Sequence, residues 1–427
     1  MAKCRATPIR PRQGRLLLFQ LAQKACQLLK RKAHVYRLCP TAEQARTLTQ
    51  WIGCTRLAYN LALEQRKTFF RPGRSFNIAS QSRDITALRA DFDWIRSAPA
   101  QPLHQAIRDL DRAYQNWWSG RAKAPTPRKR GVHDSMRFTD SETLSFCRLS
   151  RHVGKVKIPK LGWVRLRWDK RIPGTVKNIT ISHKAGQWFV SAQYEYEAHE
   201  PANSNLPSVG IDRGVALFAA LSDGRVIEAA NPGRKAQKAL ARAQRRLSRK
   251  KKGSKNRAKQ RLRVAKIHAR IARCRKDFLH KLSHDIASNY GLVALEKLEV
   301  RNMTRSAKGT KTKPGKRVRQ KAGMNRSILD QGWGMFGDML AYKLADRGGT
   351  LVKVPAHHTS QTCSACGAVD VASRVSQSKF CCTSCGHEAN ADINAAINIL
   401  RRADSPLLPV EAVGCHADEA GTIQRAA

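Results

Sequence analysis

The stretch VGIDRGVALFAALSDGRVIEA, residues Val209–Ala229, holds three short apolar runs separated by turn residues. Val209–Asp212, Leu217–Ser222 and Val226–Ala229 read as successive strands, joined at Gly214 and at the Asp223-Gly224 hairpin signal. Downstream, Lys235–Tyr290 is basic and helical, with a break expected near Gly253. A buried-looking strand, Leu292–Leu295, then ends at Glu296. A helix is expected over Ser327–Arg347, a strand over Thr350–Val354 and a final helix over Ala391–Arg401. Three strands followed by alternating helices and strands predict a mixed sheet with helices on its faces.

Upstream of the turn-rich Pro201–Pro207 the patterning differs. His34–Leu38 alternates like a strand, and Thr41 before Glu43 marks a helix start. Glu43–Lys67, Ile78–Ala90 and Leu103–Arg121 carry apolar residues at three-and-four spacing, which predicts a helical lobe. Short alternating runs at Val156–Ile158, Trp163–Trp168, Val176–Ser182 and Trp188–Tyr194 predict a small β unit. The chain is therefore expected to be an α+β multidomain protein. Residues 1–32 read as a basic extension, 33–150 as the helical lobe with one strand of the β unit, and 151–203 as the β unit itself. Residues 204–358 read as the mixed α/β domain, 359–388 as a cysteine-bearing insert, 389–402 as the final helix and 403–427 as a tail.

Charge narrows the function classes. Among 427 residues, 80 Lys and Arg against 31 Asp and Glu leave a formal charge of +49, so a polyanion is the expected partner. Hydrophobic residues at 41% argue against wholesale disorder. No run of eighteen apolar residues exists, which excludes a membrane-spanning helix of ordinary length. Leu16–Ala22 is short and interrupted by Gln20, so no secretory signal is expected, and the location read from the sequence is cytoplasmic or nucleoid-associated.

Asp212 ends one apolar strand, Glu296 ends another, and Asp392 opens a helix. An acid at the end of a buried strand is unfavourable unless it is paired or bound to a cation. Taken singly, each has an ordinary explanation, and Asp392 in particular suits a helix cap. Converging, the three would suit Mg²⁺, which takes oxygen ligands and keeps waters for substrate phosphates. Two such ions roughly 4 Å apart activate a water and stabilise a leaving oxygen in phosphodiester cleavage.

Of twelve cysteines, five fall between Cys363 and Cys385. Cys363-x-x-Cys366, fifteen residues, then Cys382-x-x-Cys385 has the spacing of two knuckles that close one tetrahedral Zn²⁺ site. Gly367 and Gly386 permit the turn after each pair. Four thiolates leave no open position, so this zinc is expected to be structural; Cys381 reads as a bystander, and His387 as a substitute ligand that the spacing does not require.

Between Glu228 and Asp277 there is no acid, while Arg242, Arg245, Arg246, Arg249, Lys250 and Lys251 stand close together. A solvated helix face normally interleaves acids, so phosphate contact is the favoured reading. The loop Lys308–Lys321 reads as basic and ordered only on binding. Phe69, Tyr114, Trp117 and Trp118 are candidates for base stacking or for core packing.

Several of these segments carry a specific resemblance. Gly210-Ile-Asp-Arg-Gly214 with Leu221-Ser-Asp-Gly224, Leu295-Glu-Lys-Leu298, Thr359-Ser-Gln-Thr-Cys-Ser-Ala-Cys-Gly367, Cys382-Thr-Ser-Cys-Gly-His387 and Asn390-Ala-Asp-Ile-Asn-Ala-Ala-Ile-Asn-Ile-Leu400 resemble the TnpB (OrfB) family. Tyr36-Arg-Leu38, Gly53-Cys-Thr-Arg56 with Asn60, and Leu110-Asp-Arg-Ala113 resemble that family's opening lobe. These are insertion-sequence proteins related to type V CRISPR effector nucleases. The resemblance implies an RNase H-like (RuvC) domain with Asp212, Glu296 and Asp392 as catalytic Mg²⁺ ligands. It also implies an inserted zinc ribbon held by Cys363, Cys366, Cys382 and Cys385, and a β unit that is wedge-like. By similarity the partners are a guide RNA transcribed from the transposon end and a double-stranded target DNA.

The expected function is an RNA-guided, Mg²⁺-dependent DNA endonuclease. Three alternatives remain open at this point: a guided DNA-binding repressor that does not cut, a transposase acting directly on element ends, and a non-specific packager of nucleic acid.

Overall fold

A computed structural model describes residues 28–69, 76–198, 205–310, 312–404 and 411–412. Residues 1–27 of the expected extension, Lys311 of the basic loop, and 405–410 and 413–427 of the tail lie outside the described residues. The described chain falls into two compact units that divide between His199 and Glu200.

The first unit runs β1 (Leu28–Cys39), α1 (Ala42–Thr68), α2 (Ile78–Asp91), α3 (Asp93–Arg96), α4 (Ala100–Trp118), β2 (Ser135–Phe138), β3 (Ser145–Arg148), β4 (Val153–Ile158), β5 (Gly162–Arg167), β6 (Thr175–Lys184) and β7 (Gln187–Ala198). A reciprocal capping box opens α1. Thr41 Oγ1 accepts from the Gln44 amide at 3.2 Å, and Gln44 Oε1 accepts from the Thr41 amide at 3.1 Å. The strands form one antiparallel sheet in the order β2-β6-β7-β1-β5-β4-β3. Between β6 and β7, Ala185 and Gly186 both take positive φ, the two-residue turn whose twist matches a hairpin. One continuous core joins helices to sheet, with Tyr36, Leu48, Leu63, Leu103, Ile107, Phe138 and Val190 buried.

Two features depart from the sequence reading. β1 begins at Leu28, five residues inside the expected extension, and it lies between β7 and β5, with the helices inserted after it. The short β2 and β3 were not expected at all, because four residues are too few to show a period.

The second unit runs β8 (Ser208–Arg213), β9 (Leu217–Leu221), β10 (Val226–Glu228), α5 (Pro232–Ser248), α6 (Lys255–Asn289), β11 (Leu292–Glu296), α7 (Val300–Met303), α8 (Val318–Gln331), α9 (Trp333–Ala345), β12 (Thr350–Val354), β13 (Lys379–Cys381), β14 (Glu388–Asn390), α10 (Ala391–Asp404) and β15 (Glu411–Ala412). Its main sheet is mixed, in the order β10-β9-β8-β11-β12-β15. β8, β9 and β10 pair antiparallel, β8, β11 and β12 pair parallel, and β15 returns antiparallel on the edge. The expected single helix Ser327–Arg347 is two helices, since Gly332 takes φ 73° and breaks the hydrogen-bond ladder. α8 also begins inside the expected basic loop, where Lys321 Nζ donates to the Met303 carbonyl at 2.8 Å. Gly315 closes that loop by donating to the Lys308 carbonyl at 2.8 Å, so its described residues form a compact turn.

Side-chain alternation sorts the sheet into two faces. Val209, Ile211, Val293 and Leu295 pack with Leu279, Phe336 and Leu340 in one cluster. Phe336, Leu340 and Leu344 recur at four-residue spacing on α9, each burial stabilising by about 1.5–3 kcal/mol. The opposite face holds Ala294, Val352 and Val354 against Ile399 of α10. Gly210 lets α10 approach that closely: a Cβ there would lie 2.1 Å from the Ala396 carbonyl oxygen.

Candidate active site

The register of the parallel strands sets the site. Ile211 lies opposite Leu295, so Asp212 and Glu296 come one step later at the same end of neighbouring strands. Both continue the even-numbered series of Gly210 and Ala294, which faces α10 rather than the α6 and α9 side. Asp392 sits in the first turn of α10. Asn390 caps that helix through Oδ1, which accepts from the amides of Asp392 at 3.0 Å and Ile393 at 3.3 Å. Asp392 therefore does not serve as the cap residue.

Asp212 feels the other two acids. Burial, then the charges of Glu296 and Asp392, push the Asp212 carboxyl up to about 7 against the opposing pull of Arg374. Asp392 is also raised, by burial, with Arg374 again opposing. Arg374 Nη2 stands 3.4 Å from Asp392 Oδ1. Among the described residues, only the four thiols discussed below form a set of three or more His, Cys, Asp or Glu ligand atoms within 4.8 Å of one another. The carboxylates are thus grouped but not closed around one point. The donor set, all oxygen and mutually repelling, fits a hard divalent cation that would relieve the repulsion.

Glu296 is 9% exposed and is held from two sides. The Thr359 hydroxyl donates to its Oε1, and Arg213 Nη2 donates to its main-chain carbonyl. Arg213 is itself drawn down to about 10 by burial, and its Nε has no partner among the described residues. Neither Arg374 nor Thr359 was singled out from the sequence. Arg374 lies in an aperiodic segment, whereas Thr359 stood inside a family-like motif without a role of its own. Two buried asparagines on α10 were also overlooked, although polar residues at i and i+4 on an otherwise apolar helix face were a usable signal. Asn394 Nδ2 and Asn398 Nδ2 donate to the Thr362 carbonyl at 2.8 and 2.7 Å, and Asn394 Oδ1 accepts from the Ser364 amide at 2.8 Å.

The cysteines make two matching knuckles. Gly367 and Gly386 donate to the Cys363 and Cys382 carbonyls at 3.0 Å, while Cys363 and Cys382 donate to Ala368 and His387 at 2.9 Å. Both glycines have positive φ, 79° and 69°. Sγ of Cys363 lies 3.7 Å from that of Cys385, and Cys366 3.6 Å from Cys382. A zinc–sulfur bond of about 2.3 Å in a tetrahedron gives an edge of about 3.8 Å, so these two edges match, and with all four sulfurs within 4.8 Å of one another the set is compatible with zinc. The Cys385 amide and, less, the Ser384 amide draw the Cys382 thiol down, while the neighbouring thiols Cys366, Cys382 and Cys363 push Cys385 up, so the set shares its protons and a metal would have to displace them. His387 Nε2 faces Ser364 Oγ at 3.4 Å, and Cys381 lies in β13 outside the four-thiol set.

Arg242, Arg245, Arg246, Arg249, Lys250 and Lys251 are all exposed, and none pairs with a carboxylate among the described residues. Arg257, in the same basic run, is instead structural: its Nη1 donates to the Leu247 and Lys250 carbonyls at 2.9 Å. In the first unit Trp117, Trp118 and Phe69 are exposed, whereas Tyr114 is buried beneath Arg66. No described helix is long and apolar enough to cross a membrane.

Sequence profiles match three segments: "Probable transposase" over residues 191–307, "Cas12f1-like, TNB domain" over 333–399 and "Helix-turn-helix domain" over 30–71. An Escherichia coli K12 protein named "Putative RNA-guided DNA endonuclease InsQ" is 40% identical over 376 residues, covering 86% of this chain and 91% of the relative. A Streptomyces pristinaespiralis protein named "Putative RNA-guided DNA endonuclease" is 32% identical, covering 87% and 89%. The Cas12f1 chain solved by cryo-EM with sgRNA and target DNA shares the mixed α/β multidomain fold, with a TM-score of 0.53 at 14% identity over 87% of this chain and 98% of that one. The fold class is therefore that of an insertion-sequence protein with Cas12f1-like architecture. The chain belongs to the TnpB (OrfB) family.

Proposed function

We propose that the protein is an RNA-guided, Mg²⁺-dependent DNA endonuclease of an insertion sequence, with guide RNA and double-stranded target DNA as partners. In this reading residues 204–358 and 389–402 form an RNase H-like (RuvC) core, 359–388 a zinc ribbon, 33–150 a helical recognition lobe and 151–203 a wedge-like β unit. The strand order of the second sheet, three antiparallel strands continued by two parallel ones, supports the core assignment.

The observation that carries the reading is the strand register that brings Asp212 and Glu296 to the same end of neighbouring strands, on the face covered by α10, whose first turn bears Asp392. The raised Asp212 carboxyl agrees with that grouping. A cluster of acids with Glu296 buried and Asp212 and Asp392 half-buried is costly to keep and suits a group that binds a cation. Asp212, Glu296 and Asp392 would hold Mg²⁺, which when bound supplies the charge that activates water and stabilises the leaving oxygen. The protein's own part is to present three carboxylates from β8, β11 and α10 at one end of the sheet. Arg374 partly offsets their charge and would meet a phosphate entering beside Asp392. Cys363, Cys366, Cys382 and Cys385 would hold a zinc with no open position, so its role is to fix the knuckles against α10. Arg242, Arg245, Arg246, Arg249, Lys250 and Lys251 would hold backbone phosphates without reading sequence.

Asp212→Ala should lower cleavage about a thousandfold or more while leaving RNA-dependent DNA binding intact. Single-turnover cleavage and a gel-shift titration measure the two; a variant that cuts at the parental rate refutes the assignment. The description "Probable transposase" keeps one second reading alive: direct action on element ends, which would proceed with no RNA present.

A further inference from the structure

Thr359 lies in the segment between β12 and Cys363, is 3% exposed, and touches the carboxylate site from the thiol side. Its hydroxyl carries one proton and has two acceptors, Glu296 Oε1 and the Ala356 carbonyl at 3.3 Å. The carboxylate is the closer and the charged acceptor, so the proton belongs to it. The main chain around Thr359 is fixed as well. Its carbonyl accepts from Asn398 Nδ2 at 3.0 Å, and three residues on, the Thr362 carbonyl accepts from both Asn394 and Asn398. The Ser364 amide inside the first knuckle donates back to Asn394. The turn therefore cannot shift without moving either the knuckle or the helix that bears Asp392.

We propose that Thr359 is a positioning residue that sets the orientation of the Glu296 carboxylate for cation binding and ties that orientation to the thiol knuckle. The inference rests on the reading of the three acids given above. With one lone pair of Oε1 engaged, the plane of the Glu296 carboxylate is fixed and Oε2, free of the Thr359 hydroxyl, is presented in a set direction. Without the hydroxyl, the buried carboxylate has a competing donor: Arg213, whose Nε is buried and unpartnered and whose guanidinium already interacts with the Glu296 charge. A carboxylate turned onto Arg213 is turned away from Asp212 and Asp392. Partners that orient ligands in this way typically matter by about 10–100-fold in metal affinity or activity.

The test uses the full chain with its guide RNA and compares Thr359→Val, which keeps the shape, with Thr359→Ser, which keeps the hydroxyl. Three readouts are taken: single-turnover cleavage against Mg²⁺ concentration, Mn²⁺ binding by electron paramagnetic resonance with the Asp212→Ala complex as background, and zinc content. Thr359→Val is expected to need about 10–100 times more Mg²⁺ for half-maximal rate and to bind Mn²⁺ correspondingly weaker. Target binding and zinc content should stay at the parental level, and Thr359→Ser should recover the parental Mg²⁺ dependence to within about threefold. Parental Mg²⁺ and Mn²⁺ dependence in Thr359→Val overturns the proposal, as does a serine variant as impaired as the valine one. Loss of zinc in Thr359→Val also overturns it, because the threonine would then act through the fold and not on Glu296. A dead Asp212→Ala beside an unimpaired Thr359→Val sinks this inference alone, whereas an active Asp212→Ala sinks the reading of the acids.

Discussion

The four thiols proposed to hold zinc and the three carboxylates proposed to hold Mg²⁺ both lie in the second unit, yet they are built in opposite ways. The thiols stand within 4.8 Å of one another on two knuckles that share the same hydrogen bonds, each formed locally around a glycine of positive φ. The carboxylates come from three distant stretches of chain and are not closed around one point, and burial together with Glu296 and Asp392 pushes the Asp212 carboxyl up to about 7. The first arrangement is suited to holding an ion permanently. The second stores repulsion, which is useful only if a cation and a substrate come and go.

The comparison can be broken most severely at the thiols. Cys366→Ala should empty the zinc site and remove most of the metal's contribution, on the order of 10 kcal/mol for structural zinc at neutral pH. Metal analysis should then find less than one zinc per chain, and the knuckle should lose protection from hydrogen exchange together with the first turn of α10. Unchanged zinc content would contradict the four-thiol set.

A smaller effect is expected where α10 meets the sheet. Gly210→Ala places a methyl 2.1 Å from the Ala396 carbonyl oxygen, a backbone atom that cannot rotate aside. The helix must shift, and the expected loss is about 3 kcal/mol. Because Asp392 rides on that helix, cleavage should fall more than thermal stability does. Equal stability and activity in the variant would show that α10 is not fixed by this close approach.

The smallest effect concerns the exposed basic residues. Replacing Arg242, Arg245, Arg246 and Arg249 with glutamine should weaken nucleic-acid binding uniformly across sequences. The slope of log affinity against log salt should flatten by up to about one for each phosphate that is no longer neutralised. An unchanged slope would assign those residues to solvation.

The two ligand sets also differ in how much of them can be read from sequence. The thiol set is local: Cys-x-x-Cys pairs followed by Gly367 and Gly386 state both the ligands and the turns that bring them together. The acids are legible only as strand ends and a helix start, since their grouping depends on the Ile211–Leu295 register and on how closely α10 approaches Gly210. Arg374 and Thr359 were beyond that reading, because each reaches its carboxylate through the path of the chain around the knuckles and neither has a period or spacing to mark it. The same limit applies to the fold. Long amphipathic elements such as α4 announce themselves, whereas the placement of β1 between β7 and β5 is set by pairings with residues more than a hundred positions away. Of the three glycines inside the expected helix Ser327–Arg347, Gly332, Gly334 and Gly337, only Gly332 takes a positive φ, 73°, and nothing in the local sequence marks which of them breaks the helix.

The claim on which the rest depends is that Asp212, Glu296 and Asp392 repel one another until a cation arrives. Its most direct measurement is the stability of Asp212→Asn against the parent between pH 4 and pH 8, in chelator and in Mg²⁺. Asp212 is raised from 3.8 to about 7 in the fold, so the folded state binds more protons than the unfolded one across that window. Parental stability in chelator should therefore be full near pH 4 and fall as pH rises to about 7, by up to about 4 kcal/mol at 1.36 kcal/mol per pH unit. Asp212→Asn should keep only the smaller part of that decline, the part due to Asp392, be the more stable protein at pH 8, and gain less from Mg²⁺ than the parent does. Matching pH profiles in chelator, with Mg²⁺ stabilising both proteins equally, would contradict the account.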